Sequence, residues 1–342
     1  MVKIGFKYPC FVIAEAGVNH NGSLRLAKKL VLAAKKAGAD AVKFQTFSAD
    51  RLVLSSAPKA EYQKKNTRNS ETQYQMLKKL ELSKSDHIAL KKFSMKNKIL
   101  FLSSAFDEES LALLENLDIS IHKIASGEIT NLPFLEKVGK TKKPVILSTG
   151  MSNLTEVKRA VQILKKNGSK QIIVLHCLSQ YPANLSEINL RAMNTLNKSL
   201  FLPVGYSDHS LGIFIPLAAV ALGACVIEKH LTLNKKLEGP DHAASLEPHE
   251  FFQMVKGIRG VEKALGTDIK KVQPSEMNTK MVARKSIVIK NSLKKGEKTN
   301  RNTFVMMRPG TGLSPFEINR FIGKKAKFNL KAGVQLQPGM LR

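Results

Sequence analysis

The chain has 342 residues, of which 43% are hydrophobic, and carries a formal net charge of +28. That size and apolar content allow one large globular domain or two, each with a sizeable core. No apolar run reaches the roughly 20 residues that a membrane span needs, and the N-terminus lacks the apolar stretch of a signal peptide. The three cysteines, Cys10, Cys177 and Cys225, have no metal-type spacing, so we predict reduced thiols in a cytoplasmic protein.

The excess of lysine and arginine raises the question of a nucleic-acid partner, because clustered cations bind phosphates by releasing counterions. The lysines are instead spread along predicted helices in pairs such as Lys28-Lys29 and Lys91-Lys92. No zinc finger, RNA-recognition signature or basic-aromatic platform accompanies them. We therefore predict no nucleic-acid partner and interpret the charge as a lysine-rich surface whose positive field attracts anionic substrates.

Short β-rich runs alternate with helical patterns through most of the chain. The runs are Phe11–Ala14, Ala41–Phe44, Ile99–Leu102, Ile121–Ile124, Val145–Leu147, Ile172–Leu175, Val204–Tyr206 and Cys225–Ile227. The helical patterns include Leu24–Ala37, Lys84–Asn97, Glu108–Asn116, Thr155–Lys166, Ile213–Leu222 and Pro248–Leu265. Eight strand-then-helix units in roughly 250 residues predict an α/β fold, a closed (β/α)8 TIM barrel. An open doubly wound sheet is the alternative, but no GxGxxG follows the first run.

The pattern changes after Gly266, where the chain becomes polar and then rich in short strands and turns. We predict a TIM-barrel domain over residues 1–268, a linker over 269–282 and a small β-rich domain over 283–342. A domain of about sixty residues is marginally stable by itself. We therefore expect it to lean on the barrel or on a second subunit.

Polar residues follow or end every predicted strand, which is where TIM barrels carry their active sites. These residues are Glu15, Lys43, Gln45, Ser103, Ser104, Lys123, Ser126, Glu128, Ser148, His176, Tyr181, Ser207, Asp208, His209, Glu228 and His230. A single polar residue at a strand end is usually a helix cap or a loop hydrogen bond. The repetition after all eight runs favours an active site.

Lys43 and Lys123 lie on the second and fourth runs, so their side chains can meet in one layer of the barrel. Buried lysines need an anion. With Ser104, Ser126 and Ser148 as neutral donors, the set suits a small multiply charged ligand such as a phosphorylated carboxylate. The alternatives are lysines that extend to solvent at the strand ends, or a Schiff-base lysine.

His209 and His230 end consecutive runs, within reach of one divalent metal ion that acts as a Lewis acid. The alternative is a pair of strand-end histidines that are only hydrogen-bonded. Glu15 and Glu128 are the carboxylates best placed for proton transfer or for binding sugar hydroxyls. Ion pairs with the two lysines are compatible with that role.

Several long motifs resemble the sialic acid synthase family. They are IAEAGVNHNGS (13–23), AGADAVKFQTF (37–47), KIASGEITNLPFLE (123–136), ILSTGM (146–151), GYSDHSLGI (205–213), ALGACVIEKHLTL (221–233) and GPDHAASLEP (239–248). The segments KKGE (294–297) and MRPGTG (307–312) are similar to the antifreeze-like (SAF) domain that follows the barrel in that family. The resemblance covers nearly the whole chain.

The resemblance implies a TIM barrel, a linker and an antifreeze-like domain, paired as a domain-swapped homodimer. It also implies the condensation of phosphoenolpyruvate with an N-acetylated amino sugar, giving N-acetylneuraminate, legionaminate or pseudaminate. Mn2+ or Mg2+ orients the sugar aldehyde in that reaction, and phosphate leaves by C–O cleavage. The motifs leave the sugar open between N-acetylmannosamine and a 6-deoxy diacetamido sugar, with legionaminate-type enzymes slightly closer.

By motif, His209 and His230 match the metal ligands, and Arg308 matches an arginine that reaches the partner's barrel to meet the N-acetyl group. The residues that match phosphoenolpyruvate contacts are Lys43, Lys123, Ser126 and Ser148. Those that match positions around the sugar and the reacting carbons are Glu15, Gln45, Glu128, Tyr181 and Asp241. Two positions depart from the family: Ser104 replaces a threonine that touches phosphate, and Ser179 stands where some members have asparagine.

Two other functions remain open at this point. Another phosphoenolpyruvate–aldose condensing synthase, acting on a phosphorylated sugar, would need an arginine cluster that the rim motifs lack before Arg308. A non-catalytic carbohydrate-binding protein would show decay of the rim motifs, which are intact.

Overall fold

The computed structural model describes residues 3–67 and 70–342, and the chain divides into two compact units after Gly266. In the first unit, eight parallel strands form a closed barrel, because β1 pairs with both β2 and β8. The strands are β1 (Phe11–Gly17), β2 (Ala41–Thr46), β3 (Leu100–Ala105), β4 (His122–Ile124), β5 (Val145–Ser148), β6 (Ile172–Cys177), β7 (Val204–Asp208) and β8 (Val226–His230). The predicted fold class is confirmed.

Helices connect the strands on the outside of the barrel. In chain order they are α1 (Leu24–Lys36), α2 (Ala49–Leu52), α3 (Glu61–Asn66), α4 (Gln73–Leu80), α5 (Lys84–Lys96), α6 (Glu108–Asn116), α7 (Leu132–Lys140), α8 (Leu154–Lys166), α9 (Ala192–Leu200), α10 (Phe214–Ala221) and α11 (Pro248–Leu265). Local sequence sets their ends: Ser23 accepts a hydrogen bond from the Leu26 amide at the start of α1. Asn153 and Glu156 form a reciprocal cap on α8.

The connection between β2 and β3 is the longest excursion from the repeating pattern. Its helices α2, α3 and α4 precede α5, which was the helix predicted from periodicity. A separate apolar cluster of Val18, Phe47, Met76 and Leu80 anchors this excursion to the loop after β1. These three helices were not predicted from the sequence, because they are too short to display a repeating apolar face.

Several strands extend further toward their C-terminal ends than the apolar runs predicted. Strand β8, for example, continues to His230, three residues past the predicted end at Ile227. The predicted ends were wrong because they followed hydrophobicity, whereas the backbone ladder continues through polar residues that face the barrel interior. The polar residues that were expected at or just after the strand ends are therefore held largely by the strands themselves.

The second unit, Thr267–Arg342, has its own small core. It contains α12 (Met277–Ala283), β9 (Ser286–Ile289) and β10 (Phe304–Met307), and the two strands pair antiparallel. The core residues are Ile287, Ile289, Leu293, Phe304, Ala326, Leu330 and Leu336. The segment predicted as a linker contains α12. The resemblance of the second unit to an antifreeze-like domain stays a prediction.

In the described parts of the chain, none of the helices combines the length and the apolar character that a bilayer crossing demands.

Candidate active site

A cavity of about 450 Å³ opens at the C-terminal end of the barrel. It brings together most of the residues singled out in the sequence. Those that line it are Glu15, Lys43, Gln45, Ser104, Lys123, Ser126, Ser148, Ser179, Tyr181, His209 and His230. Residues from all eight strands or from the segments just after them therefore face one space, as the barrel fold requires of an active site.

Two lysines and two glutamates form a buried network at the base of this cavity. The Lys43 Nζ lies 2.7 Å from a Glu15 carboxylate oxygen and 3.8 Å from Glu228. The Lys123 Nζ lies 3.3 Å from the other carboxylate oxygen of Glu228. Glu228 thus bridges the two lysines, and the predicted convergence of Lys43 and Lys123 is what the structure has.

Serine hydroxyls complete the surroundings of both lysines. Lys43 donates to the Ser104 hydroxyl at 3.2 Å, and Lys123 donates to the Ser148 hydroxyl at 2.9 Å. The Ser126 hydroxyl accepts a hydrogen bond from the Gly150 amide at 2.9 Å. Neither lysine extends to solvent, since both side chains are at most 4% exposed. The alternative of lysines that reach solvent is therefore wrong.

Burial and charge shift the pKa values of this network in different directions. Burial raises the pKa of Glu15 to about 7, although Lys43 opposes the shift. Burial also favours the neutral form of Glu228, but the charges of Lys123 and Lys43 outweigh it and lower the pKa of Glu228 to about 2. Burial lowers the pKa of Lys123, with only partial compensation by Glu228. Glu15 is thus the carboxyl that can exchange a proton near neutral pH.

His209 and His230 stand side by side across the cavity. Their ring centroids are 5.5 Å apart, and the Tyr181 ring lies 4.0 Å from that of His209. Tyr62, from α3, stacks on the Tyr181 ring, and the two ring centroids are 4.9 Å apart. The aromatic stack connects the excursion after β2 to the histidine pair.

The electrostatics of the two histidines suit a divalent cation. Burial lowers the pKa of His209 to about 4 and that of His230 well below its usual value, so both imidazoles are neutral at pH 7. The His209 Nδ1 donates to the Leu178 carbonyl at 2.6 Å, which leaves Nε2 as a free lone-pair donor. The buried His230 Nδ1 has no hydrogen-bond partner among the residues described. The pair therefore fits the metal site that was expected.

No third histidine, cysteine or carboxylate completes a metal cluster within residues 3–67 and 70–342. The Asp241 carboxylate comes nearest to His230, at 3.9 Å from its Nδ1. Burial raises the pKa of Asp241 to about 6. A cation at this site would take its remaining ligands from water or substrate oxygens, as open catalytic sites do.

Three of the expected residues lie outside the lining of the cavity. Glu128 accepts a hydrogen bond from Asn131 at 2.7 Å, in the loop that leads into α7. Asp241 is buried beside His230, as described above. Arg308 belongs to the second unit, where its side chain is exposed. The roles expected for these three residues stay predictions.

Glu228 was noted in the sequence at a strand end but was given no role in the site, and Tyr62 was missed altogether. Glu228 precedes His230 by two positions on the same strand, and residues two apart on a strand face the same side. Once His230 is taken as pointing inward, the strand period was a signal for Glu228. Tyr62 lies on a six-residue helix that carried no such signal.

The model of the NeuB family matches residues 30–270. The chain is 49% identical to the N,N'-diacetyllegionaminic acid synthase of Legionella pneumophila, over 97% of this chain and 94% of that protein. It is 51% identical to the enzyme of the same name from Campylobacter jejuni, over 94% of this chain and 96% of that protein.

Among solved structures, the chain is similar to the N-acetylneuraminic acid synthetase of Leptospira borgpetersenii in complex with citrate. The TM-score is 0.72 at 38% sequence identity, covering 81% of this chain and 92% of that one. The family resemblance seen in the motifs is thereby confirmed. The family model, the long alignments and the shared barrel agree, and the chain belongs to the NeuB family.

Proposed function

We propose that this chain is a nonulosonic acid synthase that condenses phosphoenolpyruvate with an N-acetylated amino sugar and releases phosphate. The observation that carries the proposal is the juxtaposition, in one cavity, of two buried lysines and two neutral histidines. The lysines suit a phosphorylated carboxylate, and the histidines suit a cation that contacts a carbonyl oxygen. The similarity to two legionaminic acid synthases supports the same reaction.

Lys43 and Lys123 bind the anionic groups of phosphoenolpyruvate in this proposal, helped by the hydroxyls of Ser104, Ser126 and Ser148. The two carboxylates of the network neutralise the lysines before the substrate arrives. When phosphoenolpyruvate binds, its negative charges take over part of the neutralisation of the lysines from Glu15 and Glu228. The lysines stay oriented by their serine partners throughout, so little reorganisation accompanies binding.

The reaction forms a carbon–carbon bond between C3 of phosphoenolpyruvate and the aldehyde carbon of the open-chain sugar. Water adds to the resulting cationic C2, and the C2–O bond to phosphate then breaks. Glu15 lines the cavity, and burial raises its pKa to about 7, so its carboxyl group can hold or release the proton of that water. Glu128, which lies away from the cavity lining, is less suited to that step.

A divalent cation, Mn2+ or Mg2+, would be held by His209 and His230 and would polarise the sugar aldehyde as a Lewis acid. Both rings are already neutral, so binding releases no proton from them at pH 7. Tyr181 packs against His209 and limits the orientations of that ring.

The acceptor in this proposal is an unphosphorylated amino sugar, with a 6-deoxy diacetamido sugar favoured over N-acetylmannosamine. No arginine lines the cavity among the described residues, so the barrel itself offers no guanidinium for a sugar phosphate. Tyr62, Phe106 and Met151 give the outer part of the cavity an apolar wall that suits acetyl and deoxy-methyl groups.

The deciding experiment measures phosphate release from phosphoenolpyruvate with Mn2+ and each candidate sugar in turn. We expect release with the 6-deoxy diacetamido sugar and slower release with N-acetylmannosamine. Each sugar is also tested as its phosphate ester. Phosphate release from phosphoenolpyruvate with the esters alone would indicate the alternative synthase that acts on a phosphorylated sugar. A chain that releases no phosphate with any of these sugars would falsify the proposed function.

A matched pair of variants tests the cation site. His209→Ala removes one ring of the histidine pair, so we expect metal-dependent turnover to fall to background while the thermal unfolding profile stays close to that of the wild type. His176→Ala is the control, because His176 lies on the neighbouring strand and outside the cavity lining. Wild-type turnover by His209→Ala would remove the metal assignment.

We further propose that the second unit serves the barrel of a partner chain in a domain-swapped homodimer, with Arg308 contacting the N-acetyl group. Its support is the resemblance of the MRPGTG segment to the antifreeze-like domain and the exposure of Arg308. Arg308→Ala should raise the KM for the sugar far more than the KM for phosphoenolpyruvate. Arg301→Ala, another arginine exposed in the same unit, is the control. Equal changes in both KM values would argue against this contact.

The proposed setting is the cytoplasm. The structure has Cys10, Cys177 and Cys225 buried and unpaired, which agrees with a reducing compartment.

A further inference from the structure

An ion pair without any solvent exposure lies on the outer face of the barrel, behind the histidine pair. The Lys229 Nζ is 2.5 Å from an oxygen of the Asp208 carboxylate, and both side chains are 0% exposed. The two residues are direct neighbours across the junction of β7 and β8. Such a pair is costly to form because both charges lose their hydration.

Ser210 connects this ion pair to the loop that follows β7. The Ser210 amide and hydroxyl donate to the Asp208 carboxylate at 3.1 and 3.0 Å. Lys229 in turn donates to the Ser210 carbonyl. The three residues form a closed hydrogen-bonded group, so the end of β7, the first turn of the loop and β8 are held together by buried contacts.

The group flanks both predicted metal ligands in the sequence. His209 lies between Asp208 and Ser210, and His230 directly follows Lys229. Successive strand residues point to opposite faces, which puts the ion pair outside the barrel and the two imidazoles inside it. Any shift of β7 against β8 that separated the ion pair would also displace His209 relative to His230.

Stability alone does not explain this choice of residues. A buried ion pair often adds no more stability than apolar side chains of similar volume. It does, however, specify one pairing register, since a slip by one residue would leave two unpaired charges in the protein interior. The apolar side chains elsewhere on the outer faces of the strands impose no such penalty.

We propose that Asp208 and Lys229 are positioning residues that fix the spacing of the His209 and His230 rings for a divalent cation. The inference rests on the proposed function insofar as it takes these two histidines as the ligands. It adds that the affinity for the cation depends on a charged pair that touches neither the cation nor the substrate.

The test is a titration of the full-length protein with Mn2+ alone, in which free Mn2+ is followed by electron paramagnetic resonance. In the double variant Asp208→Leu/Lys229→Met, apolar side chains replace both charges. We expect its thermal unfolding temperature to stay near that of the wild type, while the Kd for Mn2+ rises by about tenfold or more. A purely structural ion pair predicts the reverse, a changed unfolding temperature with an unchanged Kd.

Two further variants complete the experiment. Arg259→Met breaks the ion pair with Asp40 near the start of β1 and should leave the Kd for Mn2+ unchanged. Ser210→Ala keeps the buried ion pair but removes one bond to Asp208, so we expect a smaller rise in Kd, about threefold. This milder variant decides the matter if the double variant does not fold.

The outcomes separate this inference from the proposed function. A wild-type Kd in both the double variant and Ser210→Ala would overturn the positioning role and leave the metal site intact. A wild-type protein that binds no Mn2+ would overturn the metal site, and the positioning role with it.

Discussion

The barrel interior has two regions that differ in character although the same strands build both. The lower region is an apolar cluster that includes Phe11, Ile13, Leu102, Ile121, Ile146, Ile173 and Val226. The upper region holds the network of Lys43, Lys123, Glu15 and Glu228. The change takes place within two residues on several strands. The pairs are Ile13 and Glu15, Leu102 and Ser104, Ile121 and Lys123, Ile146 and Ser148, and Val226 and Glu228.

Height along the barrel axis, rather than burial, therefore decides which residue type is placed inside. Ile121 and Lys123 are both buried, at 2% and 4% exposure. The apolar layer closes the barrel and supplies the hydrophobic stabilisation. The layer above it holds charges whose burial is costly, and they persist there because they compensate one another and can meet a ligand.

The largest effect is expected when a charged side chain of the upper region is replaced by an apolar one, as in the lower region. Lys123→Met removes the ammonium group, so we expect kcat/KM for phosphoenolpyruvate to fall by roughly a thousandfold. Ile121→Val, two residues earlier, is the control and should cost about 1 kcal/mol of stability with near-normal kinetics. Steady-state kinetics and thermal unfolding measure both. Comparable activity in the two variants would mean that the layers do not differ in function.

A smaller effect is expected from weakening the compensation between the charges. Glu228→Gln keeps the shape of the side chain but removes the carboxylate whose charge favours protonated Lys123. The pKa of Lys123 then falls further, and the alkaline limb of the kcat/KM profile moves to lower pH. We expect activity at pH 8 to fall by about ten- to a hundredfold. If kcat/KM fell at every pH while the alkaline limb of its profile stayed at the wild-type pH, this account would be contradicted.

The smallest effect concerns His122, which precedes Lys123 on β4 and faces the outside of the barrel. Burial lowers the pKa of His122 to about 4, with an opposing contribution from Glu115 at 3.0 Å. Below pH 6.5 the unfolded chain therefore takes up a proton that the folded chain does not, and stability falls with falling pH. Relative to His122→Gln, the wild type should lose up to about 2 kcal/mol between pH 6.5 and 5.

Urea unfolding of both proteins across this pH range measures that difference. His249→Gln is the control, because His249 lies near the start of α11 and is not buried. A constant difference between the wild type and His122→Gln at all pH values would show that His122 is protonated alike in the folded and unfolded states.

The barrel could be predicted from the amino-acid pattern, since eight apolar runs alternate with amphipathic helices of the right length. The same pattern also determined most of the cavity lining, because parallel strands bring their C-terminal ends to one rim regardless of their separation in the chain. Lys43 and Ser104 meet in this way, as do Lys123 and Ser148, as β-strand period and barrel closure require.

Features that depend on side chains meeting at fixed distances became visible only in the folded chain. Glu228 belongs to the site because it bridges two lysines, and Asp208 finds Lys229 because their positions are paired across adjacent strands. Tyr62 lies on a short helix without a repeating apolar pattern and stacks on Tyr181. The physical reason is common to all three. A one-dimensional pattern specifies which face a residue takes, whereas charge compensation and ring stacking depend on contacts between strands and loops that are distant in sequence.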